Sequence, residues 1–189
     1  MFWYTNKLYS LMRSAKAVSI LCITAFASSC TSTSNNTHNS NDIEIDIPSF
    51  FQNEIALLNS KKPTVTKTVK KDSISETKQL TVSDWQKELA NFTSIDINKA
   101  AYHGAYQKDS IGNTVTYSFK DSALDLSSLK IVYDNGIPSI FTIKKVTKNL
   151  LYDTEENLEY IKGKSYSIDK TQVVKALGSH HYQIKGIIE

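Results

Sequence analysis

The chain has 189 residues with 22 Lys+Arg and 19 Asp+Glu, but Lys7, Arg13 and Lys16 precede Cys30 and no acidic residue does, so the chain beyond Cys30 is neutral. That balance argues against nucleic acid, which needs surplus positive charge to displace counterions. Arg13 is the sole arginine, which argues against bidentate phosphate or carboxylate recognition. Both cysteines, Cys22 and Cys30, lie near the start, so the later chain has no disulfide, thiolate nucleophile or cysteine zinc ligand.

Taken in order, the chain first shows Arg13 and Lys16, then an apolar run of 11 residues from Ala17 to Ala27, then Ser28, Ser29 and Cys30. Positive start, short apolar segment and small residues define a secretory signal peptide over residues 1–29. As a helix the run would rise about 16 Å, short of the roughly 30 Å hydrocarbon core. Translation is expected to begin at Met12, which leaves a signal of ordinary length. Ala27-Ser28-Ser29-Cys30 resembles the lipobox of bacterial lipoproteins, although Leu is usual where Ala27 stands. The resemblance implies that Cys30 is acylated and becomes the first residue of the mature chain. Thr31 to Asn41 is polar and cannot bury enough to order itself. Residues 30–46 are therefore expected to be the lipidated cysteine and a disordered tether, with a span of roughly 20–24 Å. Residues 47–189 are expected to form one domain.

Asp46 can cap a first helix and Pro48 suits an early helical position. Phe51, Ile55 and Leu58 make its apolar stripe, and Lys61-Lys62-Pro63 ends it. Alternation from Thr64 to Val82, broken by Lys70-Lys71-Asp72-Ser73, predicts a hairpin. Ser83-Asp84-Trp85-Gln86 reads as a capping box with Ser83 as cap, followed by a stripe of Trp85, Leu89 and Phe92 facing the core. Glu54, Asp84 and Glu88 read as helix-surface charges.

Strands are expected at 102–107, 114–119, 129–133, 137–145, 158–161, 164–174 and 182–188. Val115, Tyr117 and Phe119 share one face, as do Leu129, Ile131 and Tyr133, and Phe141 and Ile143. Asn135-Gly136 predicts a type I′ turn, which requires positive φ at both residues. No segment long enough for a helical crossover separates these strands, so pairing is antiparallel. The expected fold is α+β: two N-terminal helices with a curved, mostly antiparallel β-meander of six to eight strands. Two helices cover only part of such a sheet, so either it curls on itself or part of its concave face stays open.

The run from Val82 to Phe119, with Tyr133 to Pro138 and Lys61 to Val65, resembles an uncharacterised family of Bacteroidota lipoproteins. The resemblance covers about Pro48 to Glu189. It implies a Gram-negative envelope location and supplies no activity, ligand or catalytic residue.

No nucleophile elbow, P-loop or dinucleotide fingerprint occurs. Adjacent His180 and His181 point to opposite faces of a strand and cannot easily share a metal, and His103 alternates with Tyr102 in a strand. Asp153 to Glu156 lacks the spaced ligands and central glycine of a calcium loop and reads as a solvated loop. No catalytic residue, metal or cofactor is assigned. Tyr102, Tyr106 and Tyr117 are candidates for a ligand-binding surface, because tyrosine suits wet interfaces, although aromatic residues are also simply favoured in strands.

The expected function is therefore non-enzymatic: an outer-membrane lipoprotein, held through lipid on Cys30, that binds or scaffolds an envelope protein, glycan or lipid. Two alternatives stay open, a carrier or sensor of an apolar ligand in the concave face, resembling lipoprotein-carrier half-barrels, and an enzyme with an unread site. By analogy with lipoprotein sorting, Thr31 after the cysteine disfavours the inner membrane. No acidic residue precedes Asp42, which favours the periplasmic face over the cell surface.

Overall fold

The computed structural model describes residues 44–189, all within one compact unit, Thr37–Glu189. The signal segment, Cys30 and the chain to residue 43 lie outside the described residues. Glu44 is 6% exposed and Ile45 packs on the core, so the folded domain begins inside the stretch assigned to the tether.

α1 (Ile47–Lys61) is capped as expected: Asp46 accepts from the Ser49 N–H at 2.9 Å and from the Ser49 hydroxyl at 2.7 Å. Lys62 closes it in the left-handed conformation, its N–H donating to Leu58 O at 2.9 Å. β1 (Thr64–Lys71) and β2 (Ile74–Thr81) form the expected hairpin. The second helix differs from expectation. Its cap is Asp84, which accepts from the Lys87 N–H at 3.0 Å, and not Ser83. It breaks at Leu89 into α2 (Trp85–Glu88) and α3 (Ala90–Thr93). Trp85, Leu89 and Phe92 are all fully buried across that break.

Tyr102 lies in a 3₁₀ turn, Ala100–Tyr102, and not in a strand. The Tyr102 and His103 N–H groups donate back to Lys99 and Ala100, and Gly104 at φ 72 turns the chain before β3 (Tyr106–Ile111). β4 (Thr114–Phe119), β5 (Leu126–Asp134), β6 (Ile137–Lys148), β7 (Tyr152–Ile161), β8 (Ser165–Val174) and β9 (Gly178–Ile188) follow. Asn135 and Gly136 have φ of 51° and 79°, as their turn requires. The acidic run Asp153 to Glu156 belongs to β7 and is no loop, because lysines oppose it: Lys144 to Glu155 at 2.9 Å and Lys170 to Glu156 at 3.1 Å.

The nine strands form one antiparallel sheet in the order β2-β1-β9-β8-β7-β6-β5-β4-β3. The fold is α+β as expected, with nine strands where six to eight were predicted and three helices among the described residues where two were predicted. The last strand returns between β1 and β8, which joins the first hairpin to the meander.

Register defines rows across the helix-covered face. One row runs Val115, Ile131, Phe141, Tyr160, Tyr166, Gly186, Lys67; the next runs Tyr117, Leu129, Ile143, Leu158, Ile168, Ile184, Val69. Phe51 of α1 meets Phe92, Phe141 and Tyr160 with ring centroids 5.0–5.3 Å apart. Trp85 stands edge-on to Tyr166. The core is thus a sandwich of helix aromatics on sheet aromatics.

Candidate functional site

Three carboxylates face the sheet, and each takes a tyrosine hydroxyl and a lysine. Glu54 of α1 accepts from Tyr160 at 2.8 Å and pairs with Lys162 at 3.2 Å. Glu88 of α2 accepts from Tyr166 at 2.6 Å and pairs with Lys67 at 2.7 Å. Glu44 accepts from Tyr117 at 2.8 Å and Tyr106 at 3.0 Å, and pairs with Lys108 at 2.6 Å. Burial alone would raise the Glu44 pKa. The hydrogen bonds from Lys108, Tyr117 and Tyr106 outweigh it and hold the carboxyl below its ordinary value. Burial, reinforced by the neighbouring carboxylates, pushes Tyr117, Tyr160 and Tyr166 far up, so their hydroxyls stay protonated donors.

Glu54 and Glu88 are not the surface charges that sequence reasoning assigned. The signal was present in the stripes themselves. Phe51, Glu54, Ile55 and Leu58 repeat the spacing of Trp85, Glu88, Leu89 and Phe92, within Phe-Gln-Asn-Glu-Ile-Ala and Trp-Gln-Lys-Glu-Leu-Ala. Each Glu occupies the i+3 slot, inside the buried face. Their partners Tyr160 and Tyr166 sit directly opposite each other on β7 and β8. The Tyr166 ring lies over Gly186, where a Cβ would come within 2.2 Å of it, and Lys67 is next across the sheet.

The three candidate tyrosines are brought together, but as a wall whose hydroxyls have internal partners. Tyr106 packs edge-on against Tyr117 at 5.3 Å, and Tyr102 packs edge-on against Phe119 at 5.4 Å. Tyr102 donates to Asp125 at 3.0 Å, and its pKa rises to about 12, first through burial and then through that carboxylate. His180 and His181 do point apart, to Asp72 at 3.3 Å and Asp169 at 3.0 Å. His103, exposed at the end of the 3₁₀ turn, contacts Asn98 O at 3.1 Å. Among the described residues no three His, Cys, Asp or Glu side chains are placed to hold a metal. The one buried polar side-chain atom without a partner there is Trp85 Nε1.

No protein-family model, no curated protein and no solved structure matches this chain.

The remaining surface is uneven. Towards one end of the sheet the apolar rows give way to Lys145, Glu156, Lys170, Tyr182 and Lys71, and then to Thr147, Thr154, Gln172 and His180. Lys145 reaches Asp125 at 3.2 Å, and Glu156 lies between Lys145 and Lys170. Beyond these polar rows come the β1–β2, β4–β5, β6–β7 and β8–β9 connections. Here Ile74, Leu150, Leu151 and Leu177 are 73–88% exposed. Two open grooves adjoin them. One of about 370 Å³ is lined by Val146, Lys148, Asp153 and Val173. The other, of about 230 Å³, is lined by Phe119, Leu124, Leu126 and the same Val146 and Lys148. A third open groove, of about 410 Å³, lies at the opposite end near Tyr133 and Lys162. This end, with the β1–β2, β6–β7 and β8–β9 turns and leucines cut off from the core by polar rows, is the candidate functional surface.

Proposed function

We propose that the protein is a lipid-anchored envelope module, attached to the outer membrane through Cys30 and facing the periplasm, that works by binding and not by chemistry. The supporting observation is the contrast between inside and outside. Beneath the helices, aromatic rings fill the space and the three carboxylates have donors. Four of the most exposed apolar groups, Ile74, Leu150, Leu151 and Leu177, lie on neighbouring turns at one end, against Ile111 and Ile137 at the other. Such a surface serves contact, whereas a carrier would need an apolar cavity of several hundred Å³. The sequence resemblance to Bacteroidota lipoproteins points the same way.

Fractionation tests the anchor. Cys30→Ala should leave the protein unprocessed or soluble, and stable membrane attachment of normally processed Cys30→Ala protein would contradict the reading. Protease treatment of intact cells tests sidedness, since release or digestion of the domain without breaking the outer membrane would place it outside.

A further inference from the structure

The turn-bearing end has three features that a generic sticky patch would lack. Its apolar side chains sit on turns that are tied to their neighbours. The Lys175 N–H donates to Leu151 O at 3.1 Å, the Leu151 and Tyr152 N–H groups to Asn149 Oδ1 at 2.9 Å, and the Asp72 N–H to His181 O at 2.8 Å. The leucines are therefore presented on a braced backbone, separated from the core by two polar rows. Exposing them serves no packing need of the fold.

The charge around them has a pattern. Lys70, Lys71, Lys120, Lys148 and Lys175 lie in or next to the connections at this end, as do Asp72, Asp121, Asp125 and Asp153. None of Lys70, Lys120, Lys148 and Lys175 forms an ion pair among the described residues. Asp72 is already matched by the His181 N–H and His180. Leucines near uncommitted lysines match the layering of a phospholipid surface, with anionic headgroups over hydrocarbon.

The third feature is where the chain joins the domain. Glu44 binds Tyr106, the first residue of β3, and Lys108. Tyr106 is paired with Phe119, beside Lys120 at this same end. From there α1 leads away, so that β1 starts at the far end. Cys30 and Glu44 are 14 positions apart, a reach of at most about 50 Å. A membrane anchor at Cys30 thus leaves the leucine-bearing end within reach of the same bilayer.

We infer that the turns carrying Ile74, Leu150, Leu151 and Leu177, with their lysines, form a bilayer-contact surface that rests the domain, turns down, on anionic phospholipid. This rests on the reading of Cys30 as the anchor for which bilayer is met, and on the domain's own geometry for which end meets it.

The test uses the chain from Thr31, which keeps the whole compact unit and has no cysteine of its own. An N-terminal hexahistidine holds it on vesicles of phosphatidylcholine, phosphatidylglycerol and a nickel-chelating lipid, which replaces the acyl chain. Leu177→Cys and, at the opposite end, Ile111→Cys each carry an environment-sensitive fluorophore, with brominated lipid as the quencher. The label at position 177 should be quenched several-fold more than that at 111. Replacing phosphatidylglycerol by phosphatidylcholine with the nickel-chelating lipid kept, or Lys148→Glu with Lys175→Glu, should bring the two labels together. Equal quenching at both ends, stronger quenching at 111, or shielding at 177 without quenching (a contact between protein copies) would overturn the inference. Acylation of Cys30 is read separately by mass spectrometry of the natural protein, so failure of the anchor and failure of the contact surface give different results.

Discussion

The two ends of the sheet treat the same residue types in opposite ways. Under α1 and α2, lysines 67 and 162 bind carboxylates that also hold tyrosine hydroxyls, and the apolar side chains touch one another. At the turns, Lys148 and Lys175 form no ion pair among the described residues and stand near exposed Leu150 and Leu177. A lysine next to an apolar group therefore carries no meaning by itself. What matters is whether the fold supplies the partner. The first region holds the helices on the sheet, and the second is left for something outside the domain.

The sharpest way to break this contrast is in the filled region. Trp85→Ala should cost about 3–5 kcal/mol in urea unfolding, because a fully buried ring against Tyr166 would leave a cavity. Unchanged stability would mean that the helices do not pack as described. Gly186→Ala comes next. Its Cβ would collide with the Tyr166 ring that reaches Glu88, so a loss of about 1–3 kcal/mol is expected. A much smaller cost of Gly186→Ala in a Tyr166→Leu background than in the parent would locate the cost in that contact.

A third prediction concerns pH. The Glu44 pKa is lowered in the folded state, so its contribution is present above the unfolded value, about 4.5, and is lost as pH falls through the lower folded value. Asp46 and Asp84, which accept hydrogen bonds at helix starts, shift in the same direction. Denaturation curves should show stability falling below about pH 4.5, with a shallower fall in Glu44→Gln. A variant with the same acid limb as the parent protein would remove Glu44 from the account.

Much of the fold was legible in sequence because it rests on local periodicity. Both helix stripes, the Asn135-Gly136 turn and the faces of β4 to β6 followed from spacing alone. The misses had specific causes. Tyr102 and Tyr106 keep strand parity across a 3₁₀ turn, so alternation could not reveal the break. Asp153 to Glu156 looked like a loop because its lysine partners lie on β6 and β8, distant in sequence. Glu54 and Glu88 read as surface charges because a helix pattern does not show whether a tyrosine waits opposite. The leucines of the turns, isolated among polar residues, showed no signal until register placed their turns side by side.

The smallest expected effect on stability, and the one that sharpens the contrast, is at the turns. Leu150→Ser with Leu177→Ser should change unfolding free energy by no more than about 0.5 kcal/mol, since both side chains are exposed. A large loss would show that these residues belong to the core after all.

Native-state hydrogen exchange on α1 is the most direct test of the central claim that the helices are fixed to a filled interior. Amides from Phe51 to Leu58 should exchange only through openings close to the global unfolding free energy, together with the central strands β6 to β8. If α1 instead exchanges through a much cheaper local opening while those strands stay protected, the helix is a lid over a space that can be vacated, and the carrier reading would replace the one argued above.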